Sequence, residues 1–196
     1  MRKGDLFGSL LEFRRAESGA SLFKFARWVT EREACLLYFL IQEHRIEQLV
    51  ECGTANGFSS SVAACAQRDA GIAPSVHTWD IVERPKLWDH FEPVRSLKSS
   101  VTQYVGNFAE LRDTPLPFVN FRAFFIDGDH RARAVRRDWK IVRERLRPET
   151  DLVVFHDTSD YEGIALRVEA LAASPSWRVR QFTTERGMAV VQRVAE

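Results

Sequence analysis

The chain has few cysteines, almost no net charge and no long apolar run. Its three cysteines, Cys35, Cys52 and Cys65, form no CxxC pair, and their odd number leaves one unpaired in any intramolecular scheme. Zinc-ribbon spacing and a disulfide framework are therefore excluded, and a reducing cytoplasm is the expected location. A formal net charge of +1 argues against a general polyanion binder, so nucleic acid is not an expected partner. The longest apolar stretch, Ala34 to Ile41, falls far short of the roughly 20 residues that cross a bilayer. Met1 to Arg15 is broken by Gly4, Asp5 and Glu12 and lacks the apolar core of a signal peptide. No membrane association is expected.

What is present is regular alternation. Residues 1–48 read as an N-terminal helical segment, with Ala34, Leu37, Tyr38 and Ile41 at helical spacing and Thr30 with Glu33 as a capping box. Beyond Gln48, short apolar runs alternate with amphipathic stretches. Strands are expected at Leu49–Cys52, Val76–Val82, Val101–Val105, Ala123–Ile126 and Leu152–Phe155. Helices are expected at Ser59–Gln67, Ala132–Leu146 and Ile164–Ala173, with Pro85–Leu97 helical but interrupted by Pro93. Trp177–Phe182 and Met188–Val194 are separated only by a turn around Arg186-Gly187, which makes them an antiparallel pair. The pattern predicts one α/β domain over residues 1–196: a doubly wound, Rossmann-like, mostly parallel seven-stranded sheet with a C-terminal hairpin and extra N-terminal helices. In such a sheet the C-terminal strand ends share one edge, where ligands bind.

The first strand runs into Glu51-Cys52-Gly53-Thr54-Ala55-Asn56-Gly57-Phe58-Ser59. Two glycines allow a sharp turn and close approach of a ligand to the backbone, and the amides opening the next helix suit a carboxylate. The spacing G-x-x-x-G is neither the G-x-G-x-x-G of nicotinamide enzymes nor a P-loop. It resembles motif I of class I S-adenosylmethionine-dependent methyltransferases, and ECGTANGFSS is most similar to the catechol O-methyltransferase-like branch. The resemblance implies that Gly53, Thr54, Gly57 and Ser59 hold the methionine portion of S-adenosylmethionine, with Glu51 near the ammonium or supporting the loop. Asp80, at the end of the second strand, can accept both ribose hydroxyls. Gly106-Asn107 resembles the element beside the adenine, which makes Asn107 a hydrogen-bonding candidate.

Ile126-Asp127-Gly128-Asp129-His130 and Phe155-His156-Asp157-Thr158 follow adjacent strands and arrive at the same edge. Close carboxylates repel unless they share a cation or a proton. A divalent metal supplies that cation, and a neighbouring His moves protons near neutral pH. The capping alternative places Asp129 before the long helix and Asp157 before the next one. The two motifs together resemble the small methyltransferases related to catechol and macrolide-sugar O-methyltransferases. By that resemblance Asp127, His156 and Asp157 bind Mg²⁺, Mn²⁺ or a similar metal, Asp127 also borders the cofactor, and His130 is the proton acceptor. Position 156 departs from the Asp or Glu usual there, and imidazole shifts preference toward Mn²⁺, Fe²⁺ or Zn²⁺. His156 as a supporting group or second proton carrier stays open.

The expected activity is O-methylation of a small hydroxylated acceptor. Two other readings stay open: a metal-dependent hydrolase built on the Asp/His cluster, and a methyltransferase-fold binding protein without catalysis. In the resembled family the first 30 residues shape a substrate pocket or a dimer contact, so a homodimer is an expectation. Trp28, Trp88 and Phe91 are candidates to line the acceptor pocket. Eight basic residues between Arg131 and Arg147 face away from the apolar stripe Val135, Trp139 and Val142, which reads as a solvated outer face.

Overall fold

The protein is described by a computed structural model over residues 5–16 and 29–194. Trp28 lies outside the described residues. Helix α1 is Asp5–Ala16 and α2 is Glu31–Glu43. The remaining elements are β1 (Gln48–Cys52), α3 (Phe58–Asp69), β2 (Val76–Asp80), α4 (Leu87–His90), β3 (Val101–Val105), β4 (Arg122–Ile126), α5 (Ala132–Arg145), β5 (Asp151–His156), α6 (Glu162–Ala172), β6 (Trp177–Phe182) and β7 (Met188–Arg193).

The strands form one sheet in the order β3-β2-β1-β4-β5-β7-β6, and only β7 runs against its neighbours. This is the doubly wound sheet with a terminal hairpin that the alternation predicts. Each central strand is buried on both faces because its side chains alternate between two apolar layers. Leu49, Ala123, Phe125, Leu152, Val154 and Val190 pack with α1, α2 and α3. Val50, Phe124, Ile126, Val153, Phe155 and Val191 pack with α5 and α6.

Two elements differ from the sequence reading. β2 ends at Asp80, because the Asp80 carboxylate accepts from Val82 N at 3.0 Å and turns the chain out of the sheet. The helix expected over Pro85–Leu97 is split into α4 and a 3₁₀ segment, Glu92–Ser100, with Pro93 opening the second piece. Proline has no N–H to continue the first helix but suits the first turn of a new one. The basic face of α5 is also only partly free. Arg145 donates to the carbonyls of Leu111, Arg112 and Thr114, and Arg147 pairs with Asp151 and donates to Val119 O, so both clamp loops. The capping box of α2 is formed as expected, although its Glu33 is fully buried.

Candidate active site

A cleft of about 390 Å³ opens at the C-terminal edge of β1, β2, β3 and β4. That is where strand order reverses about β1 and β4, and where the neighbouring crossovers lie on opposite faces of the sheet. Gly53, Thr54, Ser59, Asp80, Asn107 and Asp127 all line it. Gly53 has φ +103°, and a Cβ there would overlap the backbone carbonyl of Asp127, so the loop can cross the end of β4 only as glycine. Asp80 is fixed at the rim by Ala55 N, 2.8 Å from Oδ2, and by Val82 N on Oδ1. Asn107 lines the cleft while its Oδ1 caps the 3₁₀ turn Phe108–Arg112 by accepting from Ala109 N at 2.9 Å. Ile81, 76 % exposed, and Val82 add an uncovered apolar wall.

Glu51 and Gly57 lie behind the loop and do not border the cleft. Glu51 is fully buried and accepts from the hydroxyls of Ser59, Ser60 and Thr78. Burial pushes its carboxyl up, and those three hydroxyls oppose the shift. Thr54 lies within hydrogen-bonding distance of Thr78, 2.7 Å between hydroxyls. Gly57, at φ +81°, precedes α3, and the space a Cβ would take is filled by the ring of Trp88. Trp88 is buried and packs in the core, as does the half-buried Phe91.

Asp127 connects the cleft to a second cluster. The pairing of β4 with β5 sets Ile126 opposite Phe155, so the next residues, Asp127 just past β4 and His156 at the last position of β5, lie side by side. His156 Nδ1 is 3.1 Å from Asp127 Oδ1 and 3.1 Å from Asp157 Oδ1. His130 Nε2 is 3.0 Å from Asp157 Oδ2 and 3.5 Å from Asp127 Oδ1, and its ring stacks on Tyr161 at 4.2 Å. Arg186, from the β6–β7 turn, lies 2.6 Å from Asp157 Oδ1. That approach is an ion pair without an aligned hydrogen bond, so Asp157 Oδ1 is buried with no directed donor. Asp157 also holds φ +61°, a left-handed conformation that aspartate tolerates better than most residues.

Charge decides the protonation of this cluster. Burial alone would lower His156, but Asp127, Asp157 and Glu33 outweigh it and raise the ring to about 12. His130 is likewise lowered by burial and raised by Asp127 and Asp157, with a net rise to about 9. It is therefore a cation at pH 7, whereas a neutral imidazole is what its position alone suggests. Asp157 is held well below the carboxylate range, its burial outweighed by His130, His156 and Arg186. Asp129 lies outside the cluster: it accepts from Arg131 N at 3.0 Å and pairs with the Arg131 guanidinium. Neither Asp129 nor Asp157 is a helix cap, since Arg131 and Tyr161 occupy those positions without side-chain caps.

Three members of the cluster absent from the sequence reading are Glu33, Arg186 and Tyr161. Glu33 was visible only as a helix-capping residue, and Arg186 only as part of a turn. Glu33 is hidden by its distance along the chain from His156, whereas Tyr161, close behind Asp157, belongs to no motif.

A family profile described as "Methyltransferase domain" matches residues 50–158, from β1 through the Asp157 turn. The chain belongs to that methyltransferase family. The methyltransferase has the sheet order of class I, whose methyl donor is S-adenosylmethionine. Solved structures share its fold at low identity. The O-methyltransferase from Bacillus cereus in complex with SAH has a TM-score of 0.64 and 17 % identity, covering 98 % of this chain and 92 % of that one. The SAH-bound Podospora anserina methyltransferase has a TM-score of 0.68 and 14 % identity over 97 % and 88 %. The O-methyltransferase TomG from Streptomyces achromogenes, involved in tomaymycin synthesis and solved with SAM, gives 0.65 and 18 % over 99 % and 92 %. Among curated protein sequences none matches significantly. No helix among the described residues is long and apolar enough to cross a membrane.

Proposed function

We propose that the methyltransferase moves a methyl group from S-adenosylmethionine to an oxygen of a small hydroxylated acceptor, with divalent-metal assistance. The observation that carries this reading is Asp127, which borders the cofactor cleft and touches the Asp/His cluster through one carboxylate.

The cleft fits the cofactor by its chemistry. Gly53, Thr54 and Ser59 present the turn for the methionine end, with Glu51 and Gly57 shaping it from behind. Asp80 keeps lone pairs for the ribose hydroxyls, and Asn107 with Ile81 and Val82 borders the adenine end. The bound cofactor supplies an already activated methyl group on its sulfonium. The protein's task is then to align the acceptor oxygen and remove its proton.

The cluster also fits a metal. Asp127, His156 and Asp157 each offer a donor atom within 4.8 Å of the others. Asp157 Oδ1 lacks a directed hydrogen bond, and Glu33 backs His156 as a carboxylate commonly backs a ligating imidazole. Two oxygens and one nitrogen favour Mn²⁺, Fe²⁺ or Zn²⁺ over Mg²⁺. When bound there, the ion would lower the pKa of an acceptor hydroxyl. His130 lies beside the same carboxylates, and Tyr161 holds its ring by stacking. A cation bound there would weaken the carboxylates' hold on the ring proton and leave a neutral imidazole to take the acceptor proton. Calorimetry with SAH and with Mn²⁺, in the presence and absence of EDTA, tests the reading. SAH should bind with or without EDTA, and Mn²⁺ should give its own heat. Absence of any SAH heat at millimolar concentration would overturn the assignment of the cleft.

A further inference from the structure

Glu33 reaches the reaction centre from α2, far along the chain from the strand ends. Its side chain is fully buried. Four groups converge on it. Thr30 N at 2.8 Å and His156 Nε2 at 3.0 Å face Oε2, while the Thr184 hydroxyl at 2.8 Å and Arg186 N at 3.0 Å face Oε1. Two of these are backbone amides, which can only donate. Three donors besides the imidazole hold the carboxyl ionised. An ionised carboxylate only accepts, so the ring nitrogen opposite it has to carry the proton. His156 is itself 0 % exposed, so no solvent competes for that nitrogen.

We infer that Glu33 is a positioning residue: it keeps the proton of His156 on Nε2 and leaves Nδ1 as the ring nitrogen directed at Asp127 and Asp157. The same contact sets the ring plane, because the imidazole is held at both ends, 3.0 Å from Glu33 and 3.1 Å from Asp127. Helix α2 and the β6–β7 turn therefore shape the reaction centre without lining the cleft. The consequence for chemistry rests on the reading of Asp127, His156 and Asp157 as metal ligands. Glu33 prepares the histidine to ligate through Nδ1 and prevents the alternative nitrogen from doing so.

The test uses the full chain with ¹⁵N-labelled histidine. In long-range ¹H–¹⁵N spectra, His156 Nε2 should show the shift of a protonated nitrogen before and after Zn²⁺ is added, and Nδ1 should move with Zn²⁺. Glu33→Gln introduces an amide whose NH₂ must face a backbone N–H whichever way it is turned, Thr30 N on one side or Arg186 N on the other. It should weaken Zn²⁺ binding by about 10–100-fold, the usual loss when such a partner is removed. SAH affinity should be unchanged, since Glu33 does not line the cleft. Should that variant fail to fold, the wild-type spectra decide alone. An unprotonated Nε2, Zn²⁺ on Nε2, or wild-type Zn²⁺ affinity in folded Glu33→Gln would overturn the inference. Absence of Zn²⁺ binding, with SAH bound and Nε2 still protonated, would overturn the metal reading and leave the role of Glu33 standing.

Discussion

Asp127 Oδ1 and His156 Nδ1 lie 3.1 Å apart because β4 and β5 run parallel with Ile126 opposite Phe155. A slip of one residue in that register would send one of the two side chains to the other face of the sheet. The pair is thus a product of strand pairing, which the two apolar layers hold from both sides.

Cofactor and metal sites should separate by mutation. Asp80 lines the cleft and Asp157 does not. Asp80→Ala should weaken SAH by about 10–100-fold, the loss of one or two hydrogen bonds to a charged group. Asp157→Asn should leave SAH affinity intact and reduce Mn²⁺ affinity. Titration calorimetry of both variants with both ligands checks this; loss of SAH binding in Asp157→Asn would contradict it.

His130→Ala should lower turnover by about 10²–10⁴-fold, the range for a positioned acid or base, while SAH still binds. The pH profile carries more information. His130 is raised to about 9 by Asp127 and Asp157, so its basic form grows in as pH rises through that value. With EDTA present, the acidic limb of the rate should therefore sit near 9. Added Mn²⁺ should move it toward neutral, because a cation beside the two carboxylates weakens their hold on the imidazole proton. A limb that stays put in His130→Ala would reassign the proton acceptor.

The same shifts govern stability. His130 and His156 have folded values above the ordinary 6.5, so their contribution is complete below pH 6.5. It is lost as pH rises, with the His130 part fading through about 9. Glu33 moves the other way: burial raises it, but hydrogen bonds from His156 and Thr30 bring it down to about 2. Its contribution is present above the ordinary 4.5 and is lost as pH falls toward 2. Thermal melts in EDTA should show greatest stability between about pH 5 and 6.5 and a decline toward 9. The decline should be shallower in His130→Ala.

Gly57→Ala tests the packing behind the cofactor loop. The added methyl meets the Trp88 ring, and the backbone is left-handed at φ +81°. Overpacking of this kind costs about 1–3 kcal/mol. Urea denaturation should show the loss, and Trp88→Leu in the same chain should recover part of it. Additive effects in the double variant would mean that the two residues do not oppose one another.

The sequence by itself determined the architecture and one half of the site. Period-two apolar runs separated by helical stripes leave a doubly wound sheet as the way to bury both kinds of face. Such a sheet carries Gly53, Asp80, Asn107, Asp127, His156 and Asp157 to a common edge whatever the packing details. These residues were legible because strand ends are local features. The tertiary structure decided what is not local. Trp88 sits against Gly57, and Glu51 turns inward to three hydroxyls. Glu33 meets His156 across 123 positions of chain. Protonation belongs to the same category: His130 becomes a cation at neutral pH because Asp127 and Asp157 beside it outweigh a burial that alone would keep it neutral. A side chain's neighbours set its charge, and neighbours drawn from α2, β5 and the β6–β7 turn exist only once the chain has folded.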